Sequence, residues 1–156
     1  MKSKKINIQE KFQKFSEHWS PKVIAEMNDY QFKLVKIQGD FVWHHHDDTD
    51  EVFIVIEGSM KIEFENETVE LNEGDLYVVP KGVEHKPYAE EECMLMLVEP
   101  RGVVNTGNTE GDLTASNDVW PAYATRHDPA LRAPIPRIGR EHCHQLQLLT
   151  HRYRRG

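Results

Sequence analysis

This sequence predicts an all-β chain folded as an antiparallel sandwich or barrel, and three observations carry that prediction. Eight short strand-like segments follow one another closely, turn-forming residues separate most of them, and no long helical period interrupts the series. At 156 residues and 38% hydrophobic content, the chain is expected to form one soluble domain with room for a proper core.

A single helix is expected ahead of the strands. Asn7 followed by Glu10 reads as an N-cap with a capping box, and Ile8, Phe12, Phe15 and Trp19 recur at helical spacing until Pro21 ends the element. The aromatic stripe of this helix is expected to lie on the outside of the barrel. The strands are then expected at 22–27, 31–38, 41–46, 52–57, 60–64, 68–71, 76–79 and 92–99. Between them stand Asn28-Asp29, Gly39-Asp40, Gly58-Ser59, Glu65-Asn66 and Asn72-Glu73-Gly74, all turn chemistry. Residues 100–120, rich in Gly, Asn and Thr, read either as a loop closing the barrel mouth, with Arg101, Asn105 and Thr106 reaching a substrate, or as ordinary surface. The expected division is therefore 1–21 for the helix and lead-in, 22–120 for the barrel with its closing loop, and 121–156 for a tail.

The tail differs in composition from the rest. Residues 1–120 hold eleven Lys and one Arg against 24 acidic residues, a net −12, whereas 121–156 hold seven Arg and no Lys against two acids, a net +5. So abrupt a switch from Lys to Arg suggests a shift in the coding DNA, such as readthrough, an out-of-frame end or a fusion scar. The alternative is a basic arm that binds nucleic acid or folds back on the acidic body. His142-Cys143-His144 lacks a second ligand pair and reads as incidental. The acidic body would repel phosphates, so no nucleic-acid partner is expected. No membrane segment is expected either, because the longest apolar run is only 93–98. The basic N-terminus has no apolar signal region, and two cysteines, Cys93 and Cys143, make no disulfide framework, so a cytoplasmic protein with reduced thiols is expected.

The chemistry concentrates in two stretches. In the first, residues 39–51 with Gly58, His44 and His46 stand two apart beside Phe41, Val42 and Trp43, so on a strand both imidazoles share a face and His45 takes the other. Polar turn formers follow at 47–50, and Glu51 opens the apolar run 52–56, which lets its carboxylate face the same interior. In the second, residues 74–85, Pro80 and Gly82 set a tight turn that delivers His85. His45 becomes an alternative ligand if the strand is bulged. Asp47, Asp48 and Asp50 read as a solvated acidic loop. A metallo-hydrolase of the His-x-His-x-Asp-His type fits His44, His46 and Asp48 but fails at Thr49 and lacks the further distant ligands.

Together the two stretches resemble the sequence boxes of a cupin, over roughly residues 35–100. His-x-His, four residues, Glu, six residues, Gly matches the first box. Gly, five residues, Pro-x-Gly, two residues, His matches the second. Two positions depart: four residues rather than five separate Gly39 from His44, and Ala89 stands where Asn is usual. The resemblance implies a cupin double-stranded β-helix, a jelly-roll-like barrel, holding one divalent transition metal (Fe, Mn, Ni or Zn) on His44, His46, Glu51 and His85. It also implies a homodimer, consistent with strands 52–56 and 94–98 being apolar on both faces.

Three histidines and one carboxylate leave two adjacent positions on an octahedral ion, where a small oxygen-rich molecule can chelate. Resemblance to cupins described as mannose-6-phosphate isomerase-like favours isomerase or epimerase-type chemistry. A metal-dependent dioxygenase and a non-catalytic binding or sensor module are the alternatives. Glu57, Lys61, Glu63, Tyr77, Lys86 and Tyr88 are candidates for an acid or base only if their strand phase points inward, so no catalytic residue is assigned.

Overall fold

A short helix precedes seven strands in the computed structural model, which describes residues 5–116. The tail 121–156, with its Arg-rich composition and His142-Cys143-His144, lies outside the described residues. Helix α1 is Ile8–Phe12, and the strands are β1 (Lys22–Met27), β2 (Tyr30–Asp40), β3 (Glu51–Glu57), β4 (Ser59–Glu63), β5 (Thr68–Asn72), β6 (Leu76–Val79) and β7 (Lys86–Pro100). All pair antiparallel in one sheet ordered β1-β2-β7-β3-β6, with the β4–β5 hairpin joined to β7 through β4.

Strand β7 organises the barrel. Along one edge it follows β2 from Tyr30↔Pro100 to Asp40↔Tyr88, and along the other it pairs first with β3 and then with β4. Between Ile37↔Cys93 and Gly39↔Ala89, residues 90–92 of β7 stand opposite the single Gln38. An excess of residues on one strand bends it and increases its twist. The three bulged residues are glutamates, and all are exposed.

Alternation along the strands builds two apolar layers. Phe53 and Val55 on β3, Val35 and Ile37 on β2, and Cys93, Leu95 and Leu97 on β7 point inward and close a core with Met60, Ile62, Leu71 and Val79. On the outer face, α1 lays Phe12 against Ile24 and Leu34, with Ile8, Phe15, Phe32, Ile56, Met94 and Met96 around it. Asn7 caps the helix, its Oδ1 accepting from Glu10 N at 3.1 Å.

Three elements depart from the sequence expectation by more than a residue or two. The helix stops at Phe12, and Trp19 takes a left-handed backbone (φ 58), donates its Nε1–H to Gln38 O and stacks on Phe41 at 4.7 Å. Trp19 therefore belongs to the barrel rather than to the helical stripe. Residues 41–46 form no strand: only His44 bridges, to His85. Strand β7 begins six residues before the expected 92, because Pro87 and Ala89 keep the inward phase through a stretch too polar to read as a strand.

Candidate metal centre

Backbone hydrogen bonds lock the two histidine-bearing segments together. His44 N donates to His85 O at 3.0 Å and His85 N to His44 O at 2.9 Å, while Gly82 N reaches His46 O at 2.8 Å. Asp50, expected to be a merely solvated residue, is exposed yet accepts Lys81 N on Oδ1 at 2.9 Å and so pins the second turn to the first segment. Because 41–46 is extended beside the start of β7, the alternation of its side chains survives without a strand. His44 and His46 are buried at 1% and 7% exposure, whereas His45 points away and meets Asp47 Oδ1 at 3.0 Å. His45 thus takes no part in the cluster.

Glu51, first residue of β3, sits at the centre. Its Oε2 lies 3.1 Å from His85 Nε2, 3.3 Å from His46 Nε2 and 3.9 Å from His44 Nε2. The other ring nitrogens explain why these atoms converge. His44 Nδ1 donates to Val42 O at 3.0 Å and His85 Nδ1 to Val83 O at 2.9 Å, which leaves each neutral ring with a lone pair on Nε2. On a neutral ring such a lone pair has no proton to offer the Glu51 oxygen; His85 Nε2 stands within hydrogen-bond distance of it at 3.1 Å, and His44 Nε2 and His46 Nε2 are buried with no hydrogen-bond partner. Buried acceptors turned on one another are costly unless a cation or added protons join them. This donor set fits a divalent transition metal.

The electrostatics hold His44 and Glu51 in ligating form and favour the protonated ring of His46. Burial, against the charge of Glu51, pushes His44 down to about 4, so its ring is neutral at physiological pH. Burial alone would raise Glu51, but the hydrogen bonds from His46 and His85 outweigh it and hold the carboxyl down at about 2. For His46 burial pulls downward, and the hydrogen bond and charge of Glu51 overcome it, raising the ring above its ordinary value.

Beside His44 and Glu51 lies a cavity of about 30 Å³, walled largely by Trp19, Phe41, Phe53, Leu95 and Leu97, with Asn105 as a further polar group. That is room for one or two waters. Asn105 ties the closing loop, donating from Nδ2 to Trp19 O and Leu113 O and accepting Ala115 N. Thr106 is buried against Thr114, and Arg101 pairs with Glu26 at the surface. Their roles are to hold the loop.

None of the six acid or base candidates joins the cluster. Glu57 and Lys61 are exposed, Lys86 pairs with Asp40 and Glu63, Tyr77 packs on Phe64, and Tyr88 sits opposite exposed Lys61. The inward charges are instead Lys33 and Glu99, 2% and 1% exposed and 2.7 Å apart. Glu99 comes within 4.8 Å of the donor atoms of His46 and Glu51. Burial first and the charge of Glu51 second raise its carboxyl to about 7, against the pull of Lys33. A signal for both was present: Gln31-x-Lys33-x-Val35-x-Ile37 and Cys93-x-Leu95-x-Leu97-x-Glu99 place charges on the buried phase of alternating strands.

The chain is similar to known proteins. Residues 32–99 match the cupin domain. The uncharacterised protein YdbB of Bacillus subtilis is 44% identical over 64 residues, 40% of this chain and 57% of its own length, so the chain spans little more than half of that relative. A cupin-2 domain protein from Shewanella frigidimarina, solved as a crystal structure, is 64% identical, with a TM-score of 0.61 over 62% of this chain and 94% of that one. Protein NMB1881 from Neisseria meningitidis is 37% identical, with a TM-score of 0.58 over 62% of this chain and 99% of that one.

Proposed function

The chain belongs to the cupin family, and from that premise we propose that it binds one divalent transition metal on His44, His46, Glu51 and His85 and uses it on a small oxygen-bearing molecule, by isomerase or epimerase-type chemistry. One observation carries the reading: buried Nε2 lone pairs and an ionised carboxylate converge, with the Nδ1 protons of His44 and His85 already spent on backbone carbonyls. Bound there, the metal would supply Lewis acidity, polarising a carbonyl or hydroxyl oxygen of the substrate.

The chain's own residues do the rest. Val42 O and Val83 O fix the orientation and tautomer of His44 and His85. Phe41 meets the edge of His44 at 5.2 Å and Phe53 that of His85 at 6.1 Å, excluding water from the rings. Lys33 and Glu99, 2.7 Å apart, are the inward charged pair beside the ligands. The cavity bounded by Trp19, Asn105, His44 and Glu51 is where a small molecule would approach the ligands.

The test is the metal content of untagged protein beside a His44→Ala, His46→Ala double variant. About one Fe, Mn, Ni or Zn per chain is expected in the parent and little in the variant. Iron would direct the next assay to oxygen insertion, the dioxygenase reading, and zinc to isomerisation. Protein that stays metal-free after reconstitution would overturn the proposal in favour of a binding module that needs no metal.

The proposed partner is a second copy of the chain. On the outer face, Leu76-Ile54-Met96 and Val78-Val52-Val98 run as two apolar rows across β6, β3 and β7. Helix α1 covers one end, while Leu76 and Val78 on the edge strand β6 are 55% and 44% exposed. Among the described residues no helix is long and apolar enough to cross a membrane.

A further inference from the structure

Glu99 is a buried carboxylate whose surroundings do not satisfy it. At 1% exposure, its Oε1 has only the ammonium of Lys33, whose Nζ lies 2.7 Å away and also donates to Val103 O at 3.2 Å, and its Oε2 has no hydrogen-bond partner. A paired charge with unfilled acceptor positions is an expensive thing to bury. Its other neighbours do not fill the remaining acceptor positions, since Glu51 is itself an acceptor and His46 Nε2 makes no hydrogen bond to it. The donor atoms of His46, Glu51 and Glu99 all lie within 4.8 Å of one another, as do those of His44, Glu51 and His85. Two overlapping donor triads therefore share Glu51, and the second draws its extra carboxylate from the last turn of the inward phase of β7.

We propose that Glu99 is a fifth protein donor to the ion, a second carboxylate ligand, and that Lys33 is the counter-charge that holds it when no ion is bound. This rests on the metal reading above and deepens it. Adding a carboxylate to an imidazole-rich set makes the site harder, which favours Mn(II) and Fe(II) relative to softer competitors. Removing the ammonium of Lys33 would take a competing cation away from Glu99, so substitutions of the two residues change metal affinity in opposite directions. A merely structural ion pair predicts the same direction for both, because each substitution strands the other charge.

Mn(II) and Co(II) titrations of the full chain, followed by the EPR signal of free Mn(II) and by the visible spectrum of bound Co(II), test this in the parent, Glu99→Gln, Lys33→Met and a Lys33→Met, Glu99→Met double variant. The double variant removes both charges and keeps the volume, so it carries the measurement if Glu99→Gln does not fold. The expected result is a loss of Mn(II) affinity of at least about tenfold in Glu99→Gln and in the double variant, a gain in Lys33→Met, and a changed Co(II) spectrum at saturation wherever Glu99 is replaced. Unchanged affinity, or weaker binding with the parental Co(II) spectrum, would overturn Glu99 as a donor while leaving the His44, His46, Glu51 and His85 site in place. A parent that takes up neither ion would overturn the site itself.

Discussion

Gly107 shows how closely the closing loop is laid on the ligand segment. Its backbone is left-handed (φ 54), and a Cβ there would collide with His45 O and meet His44 Cδ2 at 3.3 Å. Around it Asn108 Oδ1 accepts His45 N at 3.0 Å, Asn108 N donates to His45 O at 3.1 Å, and Thr109 Oγ1 donates to Trp43 O at 3.2 Å. Gly107→Ala is therefore expected to destabilise the fold by more than about 1 kcal/mol, read by denaturant unfolding, and to weaken metal binding by displacing His44. A variant with parental stability would show that the loop does not brace the site. The four residues of the candidate metal site were legible because each falls at a fixed spacing from Gly and Pro landmarks. Asn108 was not, since nothing in a Gly-Asn-Thr loop tells one amide from the next until the backbone it pins is in place.

Helix α1 is too short to be stable on its own at five residues, so packing must hold it. Phe12, 1% exposed against Ile24 and Leu34, supplies most of that packing. Phe12→Ala is expected to cost about 3 kcal/mol or more in chemical denaturation, with the inner core and the metal stoichiometry retained. A cost near zero would mean that the outer layer adds little to the barrel. The sequence marked the helix start correctly through Asn7 but overran its end, because Phe15 and Trp19 continue the helical spacing while tertiary contacts take them elsewhere: Trp19 onto Phe41, and Phe15 onto the outer layer beyond the last turn.

At the scale of the molecule, the outer face left exposed among the described residues is the expected surface of assembly. An edge strand carrying exposed Leu76 and Val78, continuous with Ile54 and Val52, offers both unpaired backbone and apolar area to a second copy. Sedimentation equilibrium of the full chain is expected to give a dimer, and Leu76→Lys with Val78→Lys to give a monomer that keeps its metal. Both side chains are solvent-facing, so the substitutions leave the core intact. A monomeric parent would leave this face to another partner.

The amino-acid sequence by itself determined the all-β class, most strand positions and the four convergent side chains of the candidate metal site. Those depend on local rules: alternation of period two, turn residues with restricted backbone, and fixed spacing within two short stretches. Tertiary structure alone decided that 41–46 stays outside the ladder, that β7 runs on through residues 90–92 as a bulged strand, and that Lys33 and Glu99 meet beside His46. Each of these pairs residues far apart in the chain. Lys33 and Glu99 lie 66 positions apart in sequence, and it is the register of β2 against β7, set by packing over the whole length of both strands, that puts their charges in one interior.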